Sequence, residues 1–313
     1  MNFTFVILHY KVADATVACV DSIQSLQKEK NDNVHIIIVD NFSNNGSGEF
    51  LKNKYADVSE VEVYFTDENL GFAKGNNFGY SIAKSEYCND YIIACNNDTV
   101  ISDTFFLQKV KIAHMETGFN ILGPDILNPR TREHQSPCGS GLNSLADVDV
   151  LLRRCIKQKE AFTNPTFENR LFFLIRDSRI GEAIVDLKHR CSFLEKSRPW
   201  DVMQTGVVLH GSFLIFDKKY IDQMPWLFSP CTFMYLEENF LHLNAKAMNY
   251  KLVYYPQLQI EHWHGVSTSV GRTKWSDKQK FFYENVISSL KQYRNYLSDF
   301  LNHRYSIKDK DER

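Results

Sequence analysis

No run of apolar residues in the chain approaches the ~20 needed to span a bilayer. The amino terminus, MNFTFVILHYKV, lacks a basic leading region and a small-residue cleavage site, so it reads as a first strand and not as a targeting peptide. The seven cysteines show no CxxC spacing. An odd count without a framework argues against a disulfide scaffold or zinc motif and fits a reducing cytosol. An excess of one charge is missing too: 36 Lys and Arg stand against 38 Asp and Glu, and a net charge of −2 gives no overall case for nucleic acid. There is no internal repeat. What is present is 313 residues, 43% hydrophobic and 24% charged, enough for a real core in one large domain or two modest ones.

The first ~125 residues alternate strand and helix signals, the pattern of an α/β fold. FTFVILHY is a buried strand, followed at helical period by Val17, Val20, Ile23 and Leu26. VHIIIVDN is a second buried strand, SGEFLKNKYA a short helix and VEVYFT a third strand. A loop rich in glycine and asparagine precedes the helix NNFGYSIAKSE, and YIIACNND closes this half. From about 145 to 200 the pattern turns helical and irregular, as an insertion would. Residues 151–200 hold eleven Lys or Arg and six Asp or Glu, a local +5. That segment is either a solvated insertion or a surface for an anionic acceptor or membrane face. After 205 the α/β pattern resumes: GVVLHGSFLIF as a strand pair or bent strand, a helix within TFMYLEENFLHLNAKAMNY, the strand KLVYYP and the polar loop QIEHWHGVST. The tail SDKQKFFYENVISSLKQYRNYLSDFLNH is one amphipathic helix or two. Amphipathic stripes usually face a core, so packing against the core or a second subunit is expected ahead of a membrane surface.

One stretch poses a specific question. The buried run Tyr91–Cys95 stops at Asn96, Asn97 and Asp98. Those side chains suit a plain turn. They also suit a metal site at the carboxyl edge of a sheet, where open α/β folds bind ligands.

The stretches VILHY, IIIVDNFSNNGS, ENLGFAKGNNFGY, NNDT, HGSFLIF, FMYLEENFL and IEHWHGVST follow one another in the order and spacing of a known family. Over residues 3–128 and 205–296 the chain resembles the family 2 glycosyltransferases. More narrowly it resembles the bacterial rhamnosyltransferase-like branch that builds capsule, O-antigen and cell-wall polysaccharides. NLGFAKGNNFGY is the most specific element. The resemblance implies a GT-A fold: a mixed, mainly parallel sheet flanked by helices, here with a helical insertion and C-terminal helices. It divides the chain into a GT-A domain, 1–270, and a helical tail, 271–313. Within the domain, 1–128 is the nucleotide-sugar-binding half, 145–200 the insertion and 205–270 the acceptor and catalytic half. The implied activity is inverting transfer from a nucleotide-diphosphate sugar to a saccharide acceptor, lipid-linked in the family context, with Mn²⁺ or Mg²⁺. The place of action would be the cytoplasm or the inner face of the plasma membrane. Neither peripheral membrane contact nor a homodimer is excluded.

Residue by residue, the resemblance puts His9, Tyr10, Asp40, Asn69, Gly71, Lys74, Asn77, Asn97 and Asp98 around the donor. Asp40, at a strand end, can accept hydrogen bonds from a base or ribose, or simply cap the next turn. A helix beginning near Gly75 or Asn76 would aim its N-terminus at the diphosphate, beside Lys74; a capped turn is the alternative. Asp98 and His262 would hold the metal, with the spacing from Pro256 favouring His262 over His264. One protein carboxylate can suffice where diphosphate oxygens and water share the ion. Gly211 and Ser212 fall on the acceptor side. Glu238 falls at the catalytic base and Glu237 beside it, although two acids at a helix start also suit the dipole, which would keep a carboxylate ionised. The chain departs from the family at Phe240 and Asn244, which stand where an acid and an arginine are usual, and at Asn249 in place of glycine.

Two other classes stay in view. A nucleotidyltransferase would carry a glycine- and arginine-rich loop after the first strand, and HYKVADATV has no glycine. A non-catalytic carbohydrate- or nucleotide-binding protein on the same fold is compatible with Asn96 and the altered acidic helix.

Overall fold

The structure, a computed structural model, describes residues 1–166, 199–263 and 274–311, with side chains to residue 302. The segments ENRLFFLIRD and GEAIVDLKHR, and His264, lie outside the described residues.

The chain opens with β1 (Asn2–His9), α1 (Ala13–Gln24), β2 (Asn33–Asp40), α2 (Ser47–Lys54), β3 (Val61–Phe65) and α3 (Gly71–Glu86). It continues through β4 (Tyr91–Asn96), β5 (Thr99–Val100), α4 (Phe106–Thr117), β6 (Ile121–Leu127) and α5 (Leu145–Thr163). After residue 199 come β7 (Gln204–Thr205), β8 (Phe213–Asp217), α6 (Lys218–Gln223), α7 (Glu237–Ala247), β9 (Leu252–His262) and α8 (Trp275–Asp311).

All these strands join one mixed sheet in the order β3-β2-β1-β4-β8-β6-β9-β5, with β7 on β9. The strands β3, β2, β1 and β4 run parallel, whereas β8 enters antiparallel between β4 and β6. Alternation along each strand splits the core in two. Phe3, Phe5 and Ile7 face α1 and α4; Val6, Ile37 and Val39 face α3. The glycines of α3 serve that packing: a Cβ on Gly79 would stand 2.5 Å from Val6 Cγ1, and one on Gly75 2.6 Å from Leu8 Cδ1.

Several boundaries differ from expectation. α3 starts at Gly71, not near Gly75, because Asn41 Oδ1 accepts from Leu70 N–H and Asn69 Oδ1 from Gly71 N–H, satisfying the first turn from outside. Of GVVLHGSFLIF only the second half is strand. IEH of the expected polar loop is strand instead, since β9 runs on to His262 beside β5 and β6. The tail is one helix, α8. Its stripe of Val286, Leu290, Tyr293 and Leu297 is buried with Val148 and Cys155 of α5 and Phe240 and Leu243 of α7. This third cluster accounts for two of the departures. Phe240 is fully buried against the rings of Tyr293 and Tyr296, and Asn244 Oδ1 accepts from the Tyr296 hydroxyl. Both side chains are thus held by the tyrosines of α8. Asn249 takes φ 56°, and Tyr250 N–H bonds Ala245 O at 2.8 Å, the left-handed helix end that Asn tolerates.

Candidate active site

In the order β3-β2-β1-β4 the strands run parallel but the order in which they are added reverses between β1 and β4, and the crevice beyond those strand ends is where open α/β sheets bind ligands. A cavity of about 360 Å³ lies there. It is lined by Tyr10, Asn69, Gly71, Asn97, Asp98, Gly211, Ser212, Glu237, Glu238 and His262, ten of the residues expected from sequence.

Asp98 and His262 come from distant parts of the chain. The β5–β9 pairing sets Thr99 opposite His262, and Trp263 N–H bonds Asp98 O at 3.0 Å. His262 Nε2 consequently lies 3.2 Å from Asp98 Oδ1, with both residues buried. Its Nδ1 is 2.6 Å from Gln135 Oε1. The ring of His210, 5.6 Å from that of His262, links this pair to the other wall: Ser212 N–H bonds His210 Nδ1, and Gly211 N–H bonds Glu238 Oε1 at 3.2 Å. The approach is close: a Cβ on Gly211 would sit 2.9 Å from that carboxylate oxygen, so a side chain there would displace the Glu238 carboxylate. Asn97 is tied inward, its Nδ2 bonding Thr16 Oγ1 at 3.1 Å.

Glu237 and Glu238 open α7 directly after Tyr235 and Leu236, whose φ values are 74° and 70°. Two successive bulky residues in the left-handed region mark a turn held by its surroundings. Glu237 is buried and accepts from Thr232 Oγ1 at 2.8 Å. Burial, followed by the charge of Glu238, pushes its carboxyl up to about 8. Burial raises Glu238 as well. The helix dipole therefore does not keep both groups ionised; loss of hydration outweighs it. The pair thus holds protons more readily than free carboxyls do, and Glu238 faces the cavity and the Gly211 amide.

Four expected donor residues do not line the cavity. His9 is fully buried between Thr16 and Ser47, at 2.6 and 2.9 Å, and burial lowers it to about 4. Asp40 accepts from Ser43 N–H at 3.2 Å and from the Ser43 hydroxyl, and so caps its turn as the alternative reading had it. Lys74 is exposed on the first turns of α3, and Asn77 caps the amides of Leu227 and Phe228 at 3.0 Å. Both follow from the earlier start of α3. Sequence reasoning missed Asn41, Phe72, His210, Phe233, Tyr235, Phe281 and Phe282. His210 adjoins the small-residue pair that was singled out; the aromatics had no signal distinct from core.

Residues 4–137 match the family described as Glycosyl transferase family 2. No curated protein sequence matches the chain. Among solved structures, the S. aureus TarS fragment 1–349 is similar at TM-score 0.50 and 10% identity, over 98% of this chain and 72% of that one. The same fragment in complex with UDP gives 0.51 and 12%, over 91% and 71%. A further S. aureus TarS structure gives 0.50 and 12%, over 98% of this chain and 44% of that one. The chain thus spans less than half the length of that TarS chain, and identities this low show a shared fold. The sequence likeness to family 2 glycosyltransferases covers residues 4–137, less than half of the chain, and the chain as a whole has the GT-A fold.

Proposed function

We propose that the chain transfers a sugar from a nucleotide-diphosphate sugar to a saccharide hydroxyl, with inversion at the anomeric carbon. The observation that carries this reading is the pairing of two unlike acidic sites on one cavity. Asp98 with His262 lies at the strand ends, and Glu238 lies across the His210–Gly211 connection.

The Asp98–His262 pair suits a divalent cation. Adjacent ligands at about 2.1 Å from one ion stand about 3 Å apart, and the nitrogen and oxygen here are 3.2 Å apart. No cluster of three or more His, Cys, Asp or Glu side chains fit for a metal occurs among the described residues. Further ligands would therefore be diphosphate oxygens and water, and the imidazole inclines the site to Mn²⁺ over Mg²⁺. When bound, the ion supplies charge neutralisation on the departing diphosphate.

Glu238 takes the acceptor proton, so the hydroxyl can attack the anomeric carbon from the face opposite the leaving group. Glu237, whose hold on a proton burial strengthens, lessens the charge beside the base and orients the helix start through Thr232. Phe233 and Phe282, each half-exposed, give the open side an apolar surface that sheds water and fits the C–H face of a pyranose. A capsule, O-antigen or cell-wall acceptor, lipid-linked, is the expectation carried from the motif resemblance. Arg153, Arg154 and Lys157, exposed on α5, are the described part of the basic segment suited to its anionic end.

The test is release of nucleotide diphosphate from UDP-, dTDP- and GDP-sugars with Mn²⁺. Turnover of one nucleotide class, abolished by EDTA and by Asp98→Ala, is expected. A protein whose melting temperature responds to no nucleotide diphosphate would end the proposal.

A further inference from the structure

The residue that holds His262 in place lies outside every motif read from the sequence. After β6 the chain makes a tight turn: Asn128 N–H bonds Glu133 O at 2.9 Å, Arg132 N–H bonds Asn128 O at 2.8 Å, and Arg132 takes φ 62°. The returning strand is pinned by a bridge between Leu127 and His134 and by Gln135 N–H to Ile126 O at 2.7 Å. Alternation sends successive side chains to opposite faces. His134 points to one side, where its Nδ1 meets Asp125 Oδ1 at 2.7 Å and its ring stacks on Trp200 at 4.5 Å and 9°. Asp125 is buried and also accepts from Gln259 Nε2 at 3.0 Å, which ties the turn to β9. Gln135 points to the other side, with its Oε1 2.6 Å from His262 Nδ1.

We infer that Gln135 is the positioning residue of the metal site: its amide oxygen fixes His262 as the Nδ1–H tautomer and presents the Nε2 lone pair toward Asp98. An amide oxygen only accepts, so the ring nitrogen it meets must carry the proton. In a neutral imidazole the other nitrogen is then a lone pair, and here that nitrogen is the one 3.2 Å from Asp98 Oδ1. In that tautomer Nε2 offers its lone pair on the side of Asp98, where a metal ion would be held, and a second hydrogen bond that sets tautomer and ring angle is how ligating histidines are ordinarily oriented. The opposite amide orientation would give the other tautomer, with Nε2–H donating to Asp98 and no lone pair for a ligand.

The inference rests on the metal reading above, and its test separates the two. In metal-free full-length protein labelled with ¹⁵N-histidine, His262 should carry a proton on Nδ1, in the neutral ring or in the imidazolium; a neutral ring protonated at Nε2 alone overturns the inference. Binding of Mn²⁺ alone, followed by loss of the free-ion EPR signal, should weaken about 10- to 100-fold in Gln135→Leu, while the metal-free melting temperature holds. Gln135→Glu keeps an acceptor oxygen and should bind within a few-fold of the parent. Equal losses in both variants would mean that shape and not acceptance matters, and would overturn the inference, as would parent-like binding by Gln135→Leu. Should Gln135→Leu fail to fold, the tautomer measured in the parent decides. A parent that binds no Mn²⁺ removes the metal reading, and the tautomer then still decides the role of Gln135.

Discussion

On the β1–β4 side of the cleft, the polar groups are engaged by the fold itself: Asn97 bonds Thr16, and Asn41 bonds Asn69, Leu70 and Gly71. On the α7 side, two carboxyls sit side by side with raised affinity for protons, behind a turn of two left-handed residues and a half-exposed aromatic rim. The first wall is a relaxed scaffold against which a ligand is bound. In the second, burial raises the hold of both carboxyls on protons, a perturbation of the kind that clusters at functional sites and on which the proposed function draws. The two walls should therefore fail in different ways.

The largest contrast is kinetic. Glu238→Gln keeps size and hydrogen bonding but cannot take a proton, so kcat should fall by about 10²–10⁴-fold while donor affinity moves little. Normal turnover in that variant would remove the asymmetry between the walls. If Glu237→Gln is the inactive one, the two roles exchange. The rate of the parent should also drop on the acid side at a pH above the ordinary carboxylate range, since burial raises Glu238.

Next comes the support beneath the second wall. Phe240→Ala should lower the unfolding free energy by about 3–5 kcal/mol, read from denaturant midpoints. A much smaller loss would mean that α8 does not brace α7.

Groups buried behind the two walls should also answer pH with opposite signs. His9 is lowered to about 4 in the folded chain, so below about 6.5 the unfolded chain binds a proton that the folded one refuses. Stability then falls as pH drops from about 6.5 to about 4, by about 3 kcal/mol. Glu237 is raised to about 8, so the folded chain holds a proton the unfolded one has released, and stability falls as pH rises from about 4.5 toward 8. Denaturant midpoints across pH 4–9 should lose the acid arm in His9→Gln and the alkaline arm in Glu237→Gln. Arms of the same sign would erase the contrast. The smallest effect is at the far end of α7: Asn249→Ala should cost about 1 kcal/mol, and Asn249→Gly close to nothing.

The difference between the walls also explains what could be read in advance. Strand ends declare themselves, because an apolar run stopping at Asn96-Asn97-Asp98 changes chemistry within three residues, and Asp98 lines the cavity as expected. Glu237 and Glu238 were legible for the same reason. His9 and Asp40 do not line the cavity: a strand end points side chains alternately up and down, and periodicity does not say which polar side chain is consumed by the next turn. Lys74 and Asn77 lie off the cavity because α3 borrows its cap from Asn41, far upstream, and starts earlier. Gln135 and the aromatics Phe281 and Phe282 were invisible, since only tertiary pairing brings a hairpin tip and a C-terminal helix to the same cleft.

The position of β8 between β4 and β6 also governs how the molecule comes into being. During synthesis β1 to β4 and β6 emerge well before β8 and β9, yet β6 has no place in the sheet until β8 arrives. Until then one edge of β4 stays open, a template for unwanted pairing. The closure that seats Asp98 beside His262 joins residues far apart along the chain, the slow kind of contact to form. The cleft is thus a late product of folding. A fragment ending at residue 137, although it holds the whole family-matched segment, should aggregate or remain bound to chaperones instead of accumulating as a small working domain.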